Sequence, residues 1–187
     1  MKKAFVLAFA VVILLESNSP AHTNAVRRQP LNGSYYYSTT NVAPPDKGWM
    51  YETIAGYVPT NAKDGAVPLY MSYSDGHEYF YSTFLTEGQG MYDPQGIACY
   101  AFSPSIPPSV SGTVALWRSE GGGYQHFYST SKNEIANNSP FTHLNGIACY
   151  VYATQINGSV PLYRFRFTKP TDMDGTDHEE KSRRQGN

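Results

Sequence analysis

Short runs of aromatic and β-branched residues, five to seven long and bounded by Gly, Pro, Asn or Ser, follow one another along this chain. That pattern predicts short β-strands separated by turns, with little regular helix. The runs are of three kinds. Tyr36-Tyr37-Ser38-Thr39, Phe80-Tyr81-Ser82-Thr83 and Phe127-Tyr128-Ser129-Thr130 form the first. Ile54-Ala55-Gly56-Tyr57, Ile97-Ala98-Cys99-Tyr100 and Ile147-Ala148-Cys149-Tyr150 form the second, and Val67-Pro68-Leu69-Tyr70, Val114-Ala115-Leu116-Trp117 and Val160-Pro161-Leu162-Tyr163 the third. Each kind recurs at intervals of about 46 residues, in a fixed order, which is the signature of an internal repeat.

Within the second kind, Ile97, Cys99 and Ala101 alternate with Ala98, Tyr100 and Phe102. Both faces are apolar, so both are expected to be covered. Between the first and second kinds, Ser131-Lys132-Asn133-Glu134 has the form of a capping box and predicts one helical turn. Glu87 is its counterpart in the middle copy, whereas the first copy carries Val42-Ala43-Pro44-Pro45, which forbids a regular helix. The chain enters the pattern inside a repeat, at Tyr35, and finishes with an extra leading run, Val160 to Phe167. The last strand is thereby expected to lie beside the first. The expectation is an all-β, closed pseudo-threefold body, β-trefoil-like, with a three-sheet prism or a small three-bladed propeller as alternatives.

Cys99 and Cys149 occupy equivalent positions of copies two and three, where copy one has Gly56. Equivalent residues approach each other only near a common axis, so an axial Cys99–Cys149 disulfide is expected. It would close a loop of about 50 residues and contribute about 2–4 kcal/mol. The alternative is a pair of small apolar residues filling equivalent core positions.

The ends differ in character. Lys2-Lys3, twelve unbroken apolar residues from Ala4 to Leu15 and a polar stretch at Glu16–Ser19 read as a signal peptide over residues 1–21. Twelve helical residues rise about 18 Å, short of a bilayer core of about 30 Å, so a membrane span is not expected. Residues 22–33 form a linker, 34–167 the three-repeat domain, and 168–187 a charged tail without aromatics that is expected to be disordered. The protein is expected to be secreted. Asn32, Asn137 and Asn157 each begin an N-glycosylation tripeptide, although Pro140 follows that of Asn137 directly.

Net charge and chemistry narrow the functions. A formal charge of −1 gives no basic footprint for nucleic acid. None of the histidines lies at metal-ligand spacing, and equivalence of the copies separates His77 from His126, so no zinc site is expected. Asp172-Met-Asp174-Gly-Thr-Asp177 lacks the distal glutamate of a calcium loop. No cofactor is expected. Asp75-Gly76-His77-Glu78 is ordinary turn chemistry before a strand. Tyrosine, at 16 residues, is the conspicuous side chain, and core packing accounts for most of it.

The sequences Val160-Pro-Leu-Tyr-Arg164, His126-Phe-Tyr-Ser-Thr130 and Glu52-Thr-Ile-Ala-Gly-Tyr-Val58 resemble a tandem repeat of secreted proteins with the consensus VPLYR, HFYTT and EGIAGYV. The resemblance covers about Tyr35 to Phe167. It implies a repeat of unassigned function, often appended to secreted hydrolases or cell-surface proteins, and supplies no catalytic residue. The family histidine is kept only at His126, with Tyr35 and Tyr79 in its place elsewhere, and cysteine replaces the family glycine twice.

Three functions follow from these residues. The leading expectation is a non-catalytic module that binds glycans through aromatic-rich repeat loops near Ser74–His77, Gly121–Gln125 and Asn32–Ser34, with Tyr35, Tyr79, His77, His126 and Tyr124 as ligand-binding residues. The alternative is a structural extracellular-matrix protein, cross-linked through tyrosine or associated with mineral. A secreted enzyme or inhibitor ranks third, because repeat folds can host sites in loops.

Overall fold

The computed structural model describes residues 33–74, 78–105, 110–122 and 125–169. The expected signal peptide, Asn32, His77, Tyr124 and the tail from residue 170 onward lie outside the described residues. The regular structure of the described chain is almost entirely antiparallel β. In order it forms β1 (Tyr35–Ser38), β2 (Trp49–Pro59), β3 (Ala66–Ser74), β4 (Glu78–Ser82), β5 (Asp93–Phe102), β6 (Thr113–Glu120), β7 (His126–Ser129), α1 (Lys132–Asn137), β8 (His143–Tyr152) and β9 (Ser159–Phe167). No helix of the described residues is long and apolar enough to cross a membrane.

The strands pair as three units with one plan. A central strand of the VPLY kind, β9, β3 or β6, is flanked by a short FYST strand, β1, β4 or β7, and by a long IAxY strand, β2, β5 or β8. The last strand does lie beside the first, with Tyr36 opposite Phe165 and Tyr37 opposite Arg164. Each long strand carries two register shifts at equivalent places, and these leave Glu52 and Ala55, Gln95 and Ala98, or Asn145 and Ala148 as the extra residues. Bulges of this kind sharpen the twist and re-aim a side chain.

The sheet does not close, contrary to expectation. Neighbouring units share only single residue pairs, Tyr57 with Tyr152 and Phe102 with Tyr150, and the hydrogen-bonded path runs open from β1 to β4. The bulged long strands meet only near their C-terminal ends, and their N-terminal halves do not pair with one another. The lack of pairing there also corrects the expectation that both strand faces are covered. Cys99, Ala101 and Phe102 are buried at the meeting end, while Ile97, nearer the N-terminal end, is 53% exposed.

What joins the units instead is a ring of tyrosines. The short strands pair on one side only, so their other edge presents open backbone groups. The Tyr37 hydroxyl donates to the Tyr128 carbonyl at 2.8 Å and accepts from the Tyr128 N–H at 2.8 Å. Tyr128 treats Tyr81 in the same way, at 3.0 and 2.9 Å, and Tyr81 treats Tyr37 so, at 2.9 and 2.9 Å. The rings meet edge to face, with centroids 5.4, 5.5 and 5.7 Å apart. Such pairs add about 0.5–1.5 kcal/mol each beyond burial.

Around this ring packs one main core, which includes Val58, Leu69, Leu116, Val151 and Leu162 together with both cysteines. Cys99 and Cys149 are both buried and are not bonded to each other in this structure, so the expected axial disulfide is not seen here. Burial pushes Cys99 up to about 12, and Cys149 further, with Cys99 itself contributing. Copy one has glycine at this position because a β-carbon on Gly56 would come within 2.7 Å of Val151. The predicted helical turn is present as α1, with Ser131 Oγ accepting from the Glu134 N–H at 3.2 Å. The reciprocal half of the capping box is replaced: the Ser131 N–H bonds Ser129 Oγ, and the Glu134 carboxylate turns to Ser129 and Arg164. The middle copy forms turns over residues 85–91 instead of a helix.

Two consequences are measurable. Tyr81→Phe removes both partners of the buried Tyr37 backbone groups and is expected to cost about 3 kcal/mol, read by urea unfolding. Burial first of all raises Tyr37, Tyr81 and Tyr128 well above the ordinary tyrosine value. Below pH about 10 both folded and unfolded chains keep these protons and stability is complete. Above it the unfolded chain alone releases them, so stability should fall by about 4 kcal/mol per pH unit for three such groups. Unfolding should therefore accompany any tyrosinate absorbance from the three; ionisation of all three in a chain that stays folded would contradict the ring.

Candidate functional site

Where one short strand abuts the next unit, the repeat builds the same slot three times. Tyr35, His126 and Tyr79 are equivalent, and each leans on an aromatic residue of another copy. Tyr35 sits 4.7 Å from Phe127, His126 sits 5.0 Å from Phe80, and Tyr79 sits 4.8 Å from Tyr36, all between ring centroids. A second ring completes each slot: Phe141, Tyr92 or Trp49. The three sequence-predicted residues that the structure describes thus take matching places, but Tyr35 and His126 are buried there as packing partners, and only Tyr79 is half-exposed. Two of the predicted loop regions also meet, since Gln125 Nε2 donates to Ser34 Oγ at 2.9 Å with both residues buried.

His126 is further committed. Its Nδ1 lies 2.5 Å from Glu78 Oε1, its backbone N–H bonds the other carboxylate oxygen, and Tyr92 donates to Glu78 Oε1 at 2.8 Å. Glu78 is 2% exposed, and burial raises its carboxyl above the usual range despite these bonds. The cluster is closed to substrate. It links two repeats by satisfying a buried carboxylate.

The exposed chemistry lies at the rim of the slots, on residues that the motif reading left unassigned. Arg164, at the end of the VPLYR run and 4% exposed, lies over Phe127 with 4.8 Å from guanidinium carbon to ring centroid. Its Nε donates to Glu52 at 2.7 Å, and its Nη2 to Glu134. Burial alone would weaken its hold on the proton, but Tyr37, Glu134 and Glu52 hold its pKa above the ordinary value. Burial likewise raises Glu134, yet the bonds from Arg164 and Ser129 outweigh it and keep that carboxyl below the usual range. Ser129, Thr130 and Thr53 complete a cleft of about 390 Å³ around these three charges.

The bulge at Glu52 is what aims that carboxylate. In register, Arg164 lies opposite Thr53 and Arg118 opposite Gly146, so Asn145 is the bulged counterpart of Glu52. Arg118 lies 5.0 Å over the Phe80 ring and bonds Glu87 at 2.5 Å, and Glu87 accepts from Ser82 as Glu134 does from Ser129. In the first copy both members of the pair are missing at once: Met71 stands at the arginine position and Ala43 at the glutamate position. That joint recurrence and joint loss, arginine closing one run and glutamate five residues after the FYST serine, is the sequence signal that points to the site. Taken only as helix-capping residues, the glutamates conceal it.

Asn137 and Asn157 lie on the exposed surface, at the end of α1 and in the turn before β9. Among the described residues no group of three or more His, Cys, Asp or Glu side chains could hold a metal ion.

The profile of one family, described as a domain of unknown function (DUF5648), matches the chain twice, over residues 27–102 and 88–183. No curated protein and no solved structure matches.

Proposed function

Since the chain belongs to the family described as a domain of unknown function (DUF5648), in two successive matches, we propose its role from the slots themselves: a secreted, non-catalytic module that binds glycans in the Arg164 cleft. The observation that carries this reading is the fixed Glu52–Arg164–Glu134 array beside the hydroxyls of Ser129 and Thr130. Carboxylates whose geometry is already held by a buried guanidinium offer free lone pairs to a vicinal diol at little further cost in ordering. Glu52 and Glu134 keep 33% and 40% of their side-chain surface, so those lone pairs are reachable. Carboxylates held in place by a buried guanidinium, with no His or Cys among the residues lining the cleft to serve as base or nucleophile, favour binding over catalysis.

The wider architecture fits a recognition body. We read the three units as blades around the tyrosine ring, a small propeller in preference to a trefoil, supported by the cyclic contacts and by three strands per unit. The structural-matrix reading keeps one observation in its favour, the 52% exposure of Tyr51, a side chain open to oxidative coupling. Secretion also places Cys99 and Cys149 where a disulfide persists. The mature protein is expected to run as one bridged species in non-reducing mass spectrometry, and two free thiols in secreted material would exclude the bridge.

Folded protein on a glycan array is expected to give hits that weaken at least tenfold in Glu134→Gln and in Arg164→Met, the latter copying the residue of the first repeat. An array without hits, or hits equal in both variants, overturns the reading.

A further inference from the structure

The second slot is the Arg164 cleft with one carboxylate removed. Arg118 repeats Arg164 in register, in its seat on an aromatic ring and in its bond to the glutamate that follows the FYST serine. At the place of Glu52, however, stands Asn145, whose side-chain amide donates to Glu120 at 3.2 Å and so faces elsewhere. The outcome is visible in the guanidinium. Arg164 Nε has its carboxylate at 2.7 Å, whereas Arg118 Nε is buried without a hydrogen-bond partner. The Thr83 hydroxyl, which directly follows Ser82 in this slot, is also buried and unpartnered.

Two buried polar atoms without partners are costly, and one ligand oxygen group that accepts hydrogen bonds would satisfy both. The acidic groups agree. The first slot holds one arginine against Glu52 and Glu134, whereas in the second Arg118 bonds Glu87, and the buried Glu78 is turned to His126 and Tyr92. Relative to the first slot, the second therefore lacks the carboxylate at the arginine Nε.

We propose that the second slot takes the carboxylate of an acidic sugar in the position that Glu52 occupies in the first. This rests on the glycan reading of the first slot and assigns the second its own ligand class. The ligand carboxylate accepts from Arg118 Nε and from Thr83, while Glu87, with 34% of its side chain exposed, accepts from a neighbouring ring hydroxyl. Entry requires rim side chains to shift, because Arg118 Nε is closed to solvent in this conformation. A sugar acid suits the site better than an acidic peptide, because acceptor and donor positions lie together in one compact slot.

The test follows the Arg118 Nε–H resonance by NMR in the intact secreted chain during titration with glucuronate, with glucose, acetate and a short oligoglutamate as controls. Glucuronate is expected to shift that resonance saturably, with at least tenfold higher affinity than acetate or oligoglutamate and with no response to glucose. Asn145→Glu supplies the missing carboxylate from within the chain and is expected to abolish the glucuronate response while leaving the Arg164 resonance unchanged. Thr83→Val should weaken it several-fold, which guards against any loss of folding in the first variant. No saturable shift, an equal response to acetate or oligoglutamate, or a response unchanged in Asn145→Glu overturns the proposal. Failure of the first slot reads out separately, as neutral-glycan binding that is insensitive to Glu134→Gln.

Discussion

Tyr37, Tyr81 and Tyr128 each commit a hydroxyl to the backbone of the next tyrosine, donating to its carbonyl and accepting from its N–H. The rest of the structure depends on this exchange. A three-stranded unit whose short strand has an open edge cannot bury that edge unless its backbone groups are satisfied. A phenol supplies donor and acceptor on one atom at the end of a large apolar ring, so it satisfies the edge and fills the core together. Phenylalanine would fill the same space and strand the backbone; serine would meet the hydrogen bonds and leave a cavity. The requirement explains why the FYST run keeps its tyrosine in all three copies, while the residue before it changes between Tyr36, Phe80 and Phe127.

Fixing the middle of each short strand also fixes its neighbours. The residue before the tyrosine packs against rings of another copy, and the serine after it holds the glutamate that faces the arginine of the VPLYR run. One scaffold thus presents three slots whose chemistry differs by few residues. The first has arginine between two carboxylates. The second has arginine with one. The third, with Met71 and Ala43, lacks the ion pair and is lined by Tyr36, Trp49, Tyr73 and Tyr79. A buried guanidinium without an anion, or a buried carboxylate without a cation, is strongly unfavourable. The pair must be kept or lost as a pair, as it is here.

Much of this is legible in the order of residues alone. Repetition of the three runs locates the strands, their alternation locates the buried residues near Cys99 and Cys149, and Ser131 to Glu134 locates the helix. The expected binding residues are harder to place. Tyr35 and His126 look like surface aromatics when judged by their turn-flanked position, yet both face a neighbouring repeat. The distinction depends on which unit lies beyond the strand edge, and no local pattern carries that information. The expectation of closure fails for a related reason. The permuted order does place β9 beside β1, but the long strands meet one another only near their C-terminal ends, so the units join through side chains instead of a continuous ladder.

The sequence by itself determined the repeat, the strand content, the covalent order that lets the last strand complete the first unit, and the equivalence of positions between copies. These are properties of short-range pattern and spacing, and they survive any rearrangement of the units in space. Only the tertiary structure decided which equivalent residues touch. It aimed Glu52 at Arg164 by a bulge, turned Asn145 toward Glu120, and left Arg118 Nε and Thr83 without partners. Hydrogen bonds act over about 3 Å, so a site made from residues more than a hundred positions apart, such as Glu52 and Arg164, exists only once the chain has brought them together.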